Sequence, residues 1–298
     1  MRDAIGVGIS GAGATGHALG WAMSRAACTG ADVVLLHVLD DAVRAGDGRP
    51  FASWAGRGAL STQLRAARVL SPRTAVRLRV LRGNVMWQLA AASREFALVV
   101  VGTHKTGFIH EALYGSASLH LVAEAACPAV VVPTPSRAGP MGVLVGADDS
   151  AAGRAALGFA AEEAANTGQE LTILRVRGST SGQAGHEWGG TASRTPELLV
   201  ARFAAIAAER HPGLRIHCRT LDGRPAQVLV AASSGARLLV LGAAQTSAPE
   251  TLALGVVCHD ALLNIRVPTV IVHGGDGVRP AGQPPALGSA RDLQGAAQ

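Results

Sequence analysis

Val100-Val-Gly102-Thr-His-Lys105-Thr-Gly107-Phe-Ile-His-Glu-Ala-Leu-Tyr-Gly115-Ser116-Ala-Ser118 leaves a β-branched run, crosses a glycine-containing loop and opens an alanine-rich segment. Its punctuation occurs twice in the chain. Gly83, Gly102, Gly115 and Pro128 return 140 residues later as Gly223, Gly242, Gly255 and Pro268. Leu89, Ser93, Leu98, Val100, Val130 and Val132 pair with Leu229, Ser233, Leu238, Val240, Val270 and Val272 at the same offset. Nearer the start of each copy the offset is 138, matching Gly8 with Gly146, Leu19 with Leu157, Leu36 with Leu174 and Val38 with Val176. Four Gly/Pro matches at one spacing are hard to obtain by chance, so the chain is an internal duplication. The two-residue drift falls between Val38 and Gly83, where Asp40–Gly58 and Gly178–Thr195 are glycine-rich and loop length is tolerated.

Within each copy, short apolar runs alternate with longer Ala/Leu segments, the pattern of a parallel sheet covered by helices. In the first copy the strands are expected at Ala4–Ser10, Val33–Leu39, Ala75–Leu81, Ala97–Val101 and Ala129–Val132. The helices are expected at Thr15–Cys28, Gly58–Leu70, Val85–Arg94 and Ser116–Ala126. Right-handed βαβ crossovers then give an α/β fold of two tandem, doubly wound, five-stranded parallel-sheet domains. Residues 1–135 form the first, 136–275 the second, and 276–298, rich in Gly, Pro and Ala, a disordered tail. Pro133–Pro140, with three prolines, reads as the extended linker. The Val-rich last strands, Ala129–Val132 and Thr269–Val272, are expected to cover each other's edges in a pseudo-twofold intrachain pair, because an open apolar edge invites aggregation.

Composition narrows the function. No apolar run approaches the roughly 18 residues of a spanning helix, and the first residues lack the three regions of a signal peptide. A cytoplasmic location without membrane partners is the expectation. Cys28, Cys127, Cys218 and Cys258 show no metal or redox spacing and read as structural, so no metal site is expected. The net charge of +6 belongs wholly to the first copy: residues 1–138 carry 14 Lys+Arg against 8 Asp+Glu, and residues 139–298 carry 13 against 13. Much of the excess is Arg65, Arg68, Arg73, Arg77, Arg79 and Arg82. With no aromatic-rich or helix-turn-helix signature beside it, this reads as a solvated helix and strand edge in preference to a nucleic-acid surface.

An open α/β sheet binds ligands beyond the carboxyl ends of its strands, which directs attention to the loops after strands one and four. In the quoted loop, glycines let the backbone approach an anion, and Gly115-Ser116 opens a helix whose free N–H groups favour phosphate. Turns and caps use the same residues, so the loop alone does not separate a phosphate cradle from a plain connection. Ser116 has no base beside it and reads as a cap or phosphate donor, not a nucleophile.

With these residues in view the chain resembles the universal stress proteins in their tandem form. The similarity rests on the first-strand turn, Leu36-His37-Val38 ending strand two, the loop of pattern Gly-x2-Gly-x9-Gly-Ser and Cys127-Pro-Ala-Val-Val-Val-Pro133. The resemblance implies ATP binding in some members, a regulatory role in stress or dormancy, and little or no catalysis. It implies nucleotide contacts at Ile9, Ser10, Val38, Gly102, Lys105, Gly107, Gly115, Ser116, Ala117 and Ser118, with Asp148, Val176, Gly242 and Gly255 as a degenerate second site. Mg²⁺ is the ion expected to accompany ATP.

The departures from the pattern differ between copies. In the first, Lys105 replaces the second glycine and Ser10 replaces the aspartate that faces adenosine in the family. In the second, Asp148 is kept, but Gln245 replaces the second glycine, Val256 replaces the serine, and Pro249-Glu250 brings a bend and a charge toward the phosphate. The first copy is thus the better nucleotide site; Asp148 is expected to cap the helix beginning near Ser150. Lys105, the sole lysine of the chain, reads either as a point charge on phosphate or as a solvated loop residue. Three functions remain: a nucleotide-binding regulator, an interaction protein of the same fold that has lost the nucleotide and acts through protein partners, and a weak ATPase for which no base can be named. Homodimerisation of the whole chain stays open.

Overall fold

The computed structural model describes residues 3–9, 16–39, 54–104, 119–134, 136, 139–178, 195–243 and 254–274. The first half contains β1 (Ile5–Ile9), α1 (Gly16–Thr29), β2 (Val33–Leu39), α2 (Trp54–Leu70), β3 (Val76–Arg82), α3 (Val85–Ala92), β4 (Leu98–His104), helical residues 119–124 (α4) and β5 (Ala129–Thr134). The second repeats it with β6 (Met141–Gly146), α5 (Ala151–Asn166), β7 (Leu171–Arg177), α6 (Pro196–Arg210), β8 (Ile216–Asp222), α7 (Pro225–Ala232), β9 (Ala236–Ala243), α8 (Val256–Leu263) and β10 (Thr269–His273).

All ten strands join one sheet in the order β3-β2-β1-β4-β5-β10-β9-β6-β7-β8. Neighbours within each half are parallel. At the centre β5 and β10 run antiparallel, with Val131 opposite Thr269 and Ala129 opposite Ile271. The last strands therefore close each other's edges, as their composition led us to expect, and the order on one side is the pseudo-twofold image of the other.

Strand alternation sorts the side chains into two cores that each run across both halves. Ile5, Val7, Val33, Leu35, Leu98 and Val100 face α1 and α2, and in the second half Val143, Ile173 and Val240 face α5 and α6, where Phe203 is fully buried. Val34, Leu36, Val99, Val131, Leu239 and Ile271 face the other layer, α3, α4, α7 and α8. Gly83 and Gly223 stand at the same place in the two copies, with φ of +118° and +139°, values at which any Cβ is strained. This explains why that glycine recurs.

On the pseudo-twofold seam, Arg25 of α1 donates from Nε to Oε2 of Glu163 in α5 at 2.7 Å, with side chains only 15% and 5% exposed. The two residues are 138 apart and so occupy equivalent positions. A position that a symmetric pair would fill with two like residues holds opposite charges.

Several sequence expectations need correction. β4 extends beyond Val101 to His104 because its pairing with β5 continues, Gly102 opposite Val132 and Thr103 opposite Pro133. Gly102 is thus a strand residue, not the first residue of the loop. β5 likewise continues to Thr134, and β6 starts at Met141, which shortens the linker. Pro133 is tolerated in β5 because pairing with β10 covers only Ala129–Val131. α3 stops at Ala92 and tightens into a 3-10 turn, Ser93–Glu95; the buried Ser93 hydroxyl donates to the Ala90 carbonyl at 2.6 Å and accepts from the Ala126 amide at 2.8 Å. The expected tail and most of the two length-variable loops lie outside the described residues.

Candidate functional site

In an open α/β sheet the ligand crevice is sought beyond the carboxyl ends of the strands, here β1, β2 and β4 of the first half. The register that sets Val7 beside Val100 brings Ile9 and Gly102 to the same end of adjacent strands, and Ile9 pairs with His37, next to Val38. Three expected contact residues, Ile9, Val38 and Gly102, are therefore gathered at one sheet end. Ser10, Lys105, Gly107, Gly115, Ser116, Ala117 and Ser118 lie outside the described residues.

His37 has a role that motif reading missed. Its ring is buried, and Nδ1 donates to the carbonyl of Ile9 at 3.2 Å, fixing the end of β1 just before the first loop. In the second half the residue 138 positions on is Arg175, whose guanidinium donates to the carbonyl of Ala147 at 2.9 Å, and Ala147 is the counterpart of Ile9. Both copies use a strand-two side chain to clamp the first strand end, with different chemistry. The signal was the offset itself, applied to polar residues as well as to glycines.

In the second half all four expected residues are described. Val176 is buried on β7. Asp148 is also buried, but it is not the cap: Oδ1 accepts from the Ser150 amide at 2.7 Å, and Ser150 caps α5 by accepting from the Gly153 amide at 2.9 Å. The cap falls two residues later than expected because Ser150 itself has the extended backbone a cap requires, with ψ of 164°. Asp149 meets Arg202 of α6 and, at 3.1 Å, Arg154 of α5. Desolvation pushes its carboxyl upward, but the hydrogen bonds and charges of Arg202 and Arg154 outweigh that and hold it below the usual carboxylate range.

Gly242 lies inside β9 opposite Val272. A Cβ there would stand 2.6 Å from the carbonyl carbon of Ala152 and 2.7 Å from the Gly153 amide nitrogen, so the first turn of α5 rests directly on the strand. Space for a helix, not for phosphate, is what this glycine supplies. Beneath it the Cys258 thiol donates to the Gly242 carbonyl at 3.2 Å. Burial, helped by the Asp148 carboxylate, pushes that thiol up to about 12, so it stays neutral. Gly255 opens α8 at φ +71°, and Val256, the counterpart of Ser116, is 76% exposed. The positions that align with Ser10, Ser118 and Ser116 of the first copy thus hold a buried carboxylate, a buried neutral thiol and an exposed isopropyl group.

A separate cleft of about 600 Å³ opens between α7 and α8, lined by Arg224, Gln227, Val230, Val256, Asp260 and Arg266 among others. In the first half the counterparts of Gln227 and Asp260 are Trp87 and His120, whose rings meet edge to face at 5.5 Å. Among the described residues no three His, Cys, Asp or Glu side chains are grouped as metal ligands, and no helix is long and apolar enough to cross a membrane.

Comparison with known proteins agrees with this architecture. The chain is 26% identical over 299 residues to universal stress protein Rv2005c of Mycobacterium tuberculosis, covering 91% of this chain and 97% of that protein. It is 26% identical over 281 residues to a universal stress protein of Mycolicibacterium smegmatis, covering 89% and 95%. Among solved structures, a universal stress protein from Archaeoglobus fulgidus superposes with a TM-score of 0.63 at 17% identity, over 92% of this chain and 98% of that one. The model of the universal stress protein family matches twice, at residues 1–133 and 141–273. Two matches end to end, on two halves that share one strand order, mean that this chain belongs to the universal stress protein family in its tandem form.

Proposed function

We propose that this chain is a cytoplasmic stress-response regulator that binds an adenine nucleotide, ATP, in its first half and acts through conformation and protein partners, not catalysis. The units that do this are residues 1–135 and 136–275. The observation that carries the reading is the contrast between the two crevices. The second half seats α5 against Gly242, carries Val256 in place of the serine hydroxyl, and has Pro249-Glu250 in the stretch between Gly242 and Gly255 that would take the phosphates. A like charge at about 4 Å is repulsive by roughly 1 kcal/mol in water and by more when shielded. The first half has His110 at the position of Glu250, keeps Gly115-Ser116 and adds Lys105. Ile9, Ser10, Val38 and Gly102 would hold the nucleoside end, with Lys105, Gly107 and Gly115 to Ser118 on the phosphates, and Mg²⁺ arriving with the nucleotide.

Equilibrium binding of labelled ATP to the purified chain tests this. Gly115→Asp abolishes binding and Gly255→Asp leaves it unchanged if the assignment is right; equal losses overturn it. Lys105→Ala weakens ATP by roughly 1–3 kcal/mol, the range of a charge-assisted hydrogen bond, and adenosine much less. A wild-type chain that fails to bind any adenine nucleotide would establish the alternative, an interaction protein that keeps the fold alone.

A further inference from the structure

The two outer edges of the ten-stranded sheet are equivalent by duplication and opposite in chemistry. Among the described residues β3 ends the sheet on one side and β8 on the other, each paired along a single edge. Residues 54–82, which form α2 and β3, hold seven arginines and no carboxylate. Residues 196–222, which form α6 and β8, hold four arginines and three carboxylates. Going from first edge to second, Arg65, Arg68, Val69, Arg73, Arg77 and Arg82 become Ala205, Ala208, Glu209, Gly213, His217 and Asp222. The second copy is an internal control: an arginine-rich composition alone would have marked both edges.

The second edge pairs most of its charge, leaving Arg210 and Arg219 without a carboxylate partner among the described residues. Arg177 forks onto Asp222 at 2.7 and 2.8 Å, and Glu170 takes both Arg215 at 3.1 Å and His217 at 3.0 Å. The first edge does not. Arg79 meets Glu95 at 2.8 Å and Arg77 lies 3.6 Å from Asp32, but Arg65, Arg68, Arg73 and Arg82 are exposed and have no carboxylate partner among the described residues. Between them lies exposed aliphatic surface: Val69 and Leu70 at the end of α2, and Leu78 and Val80 on β3. Arginines on an edge strand do guard against random strand pairing. That guard requires neither the arginines of α2 nor a valine that is 79% exposed.

We infer that the α2–β3 edge is a docking surface for an extended acidic segment of a partner protein, which adds beside β3 as a further strand. Side chains alternate along β3, so Leu78, Val80 and Arg82 lie on the α2 face with Val76, and Arg77 and Arg79 lie on the other. An added strand alternating acidic and aliphatic residues meets both faces at once while its backbone takes up the free edge. A flat anionic membrane reaches only one face, and nucleic acid leaves the four aliphatic side chains against phosphate and sugar. Charge complementarity and the aliphatic surface together select protein.

The test uses the full chain and a labelled Glu-Val-Glu-Leu-Glu-Val-Glu peptide, followed by fluorescence anisotropy and amide hydrogen exchange. The expected result is salt-sensitive binding with slowed exchange across 77–82. Arg77→Glu with Arg79→Glu, on the face that the glutamates meet when Val and Leu pack beside Leu78 and Val80, should weaken it about tenfold or more, Val80→Asp should weaken it as well, and Arg219→Glu on the opposite edge should leave it unchanged. The same peptide with Lys for Glu, a 20-nucleotide single strand and phosphatidylserine vesicles are run beside it. The inference is overturned by absence of peptide binding at about 1 mM, by an equal loss in Arg219→Glu, or by DNA or vesicles binding more tightly than the acidic peptide.

Discussion

Glu163→Gln keeps the volume of the side chain on the pseudo-twofold seam and removes its charge. Arg25 would then be left with its guanidinium mostly out of water, near the ring of Phe159 at 5.9 Å and with no counter-charge. Breaking a buried ion pair by neutralising one partner costs about 3–5 kcal/mol. The 15% exposure of Arg25 and the remaining amide oxygen of Gln reduce this, to about 2–4 kcal/mol. At roughly 2–4 °C per kcal/mol for chains of this order of size, the melting temperature should fall by about 4–16 °C. Calorimetry, with urea unfolding as a second measure, reads the effect. Because desolvating both ions opposes their attraction, Arg25→Met combined with Glu163→Met should return to within about 1 kcal/mol of the parent. The exchange Arg25→Glu with Glu163→Arg should recover part of the loss in either single variant, since the two positions are equivalent. A Glu163→Gln protein melting within about 1 °C of the parent would refute the argument and mean that the pair is solvated in effect.

Three further outcomes are read without any ligand. Burial pushes both the Cys127 and Cys258 thiols up to about 12 from an ordinary 9.0, so the folded chain keeps protons that the unfolded chain releases. That stabilisation is complete below pH 9.0 and is lost as pH rises toward about 12. With a single lysine and a single tyrosine in the chain, replacing both cysteines by alanine should flatten the alkaline limb of the stability curve. Thiol reagents at pH 8 should modify exposed Cys28 and Cys218 and spare the other two until the protein unfolds. Gly242→Ala should destabilise the chain by about 1–3 kcal/mol in urea, with no nucleotide present, because its Cβ would push the backbone of Ala152 and Gly153 away; an unchanged midpoint would mean that α5 moves aside freely.

What the sequence determined by itself is whatever depends on neighbours along the chain. The 140-residue echo of Gly83 in Gly223 was readable because a positive φ excludes other side chains wherever the fold places it. The alternation of apolar runs with Ala/Leu segments located the strands and helices of the first half to within about four residues wherever their ends are described, since burial on two faces or one leaves its own period. The strand ends after β1 and β4 were legible for the same reason, and the structure gathers Ile9, Val38 and Gly102 there; Val256 in place of a serine was read directly from the repeat. The rest was decided by groups far apart in sequence. Gly102 became a strand residue because Val132 pairs with it, and Gly242 is required because a helix starting ninety residues earlier rests on it. Asp148 was displaced as cap by Ser150, whose backbone geometry no local motif fixes. His37 and Arg175 became clamps only once β1 and β6 lay beside them, and Arg25 met Glu163 only because β5 and β10 join the halves across one axis. Propensity and spacing are short-range terms, whereas the strand order and the pairing of charges across a seam are set by long-range packing, and that is where this fold chose its partners.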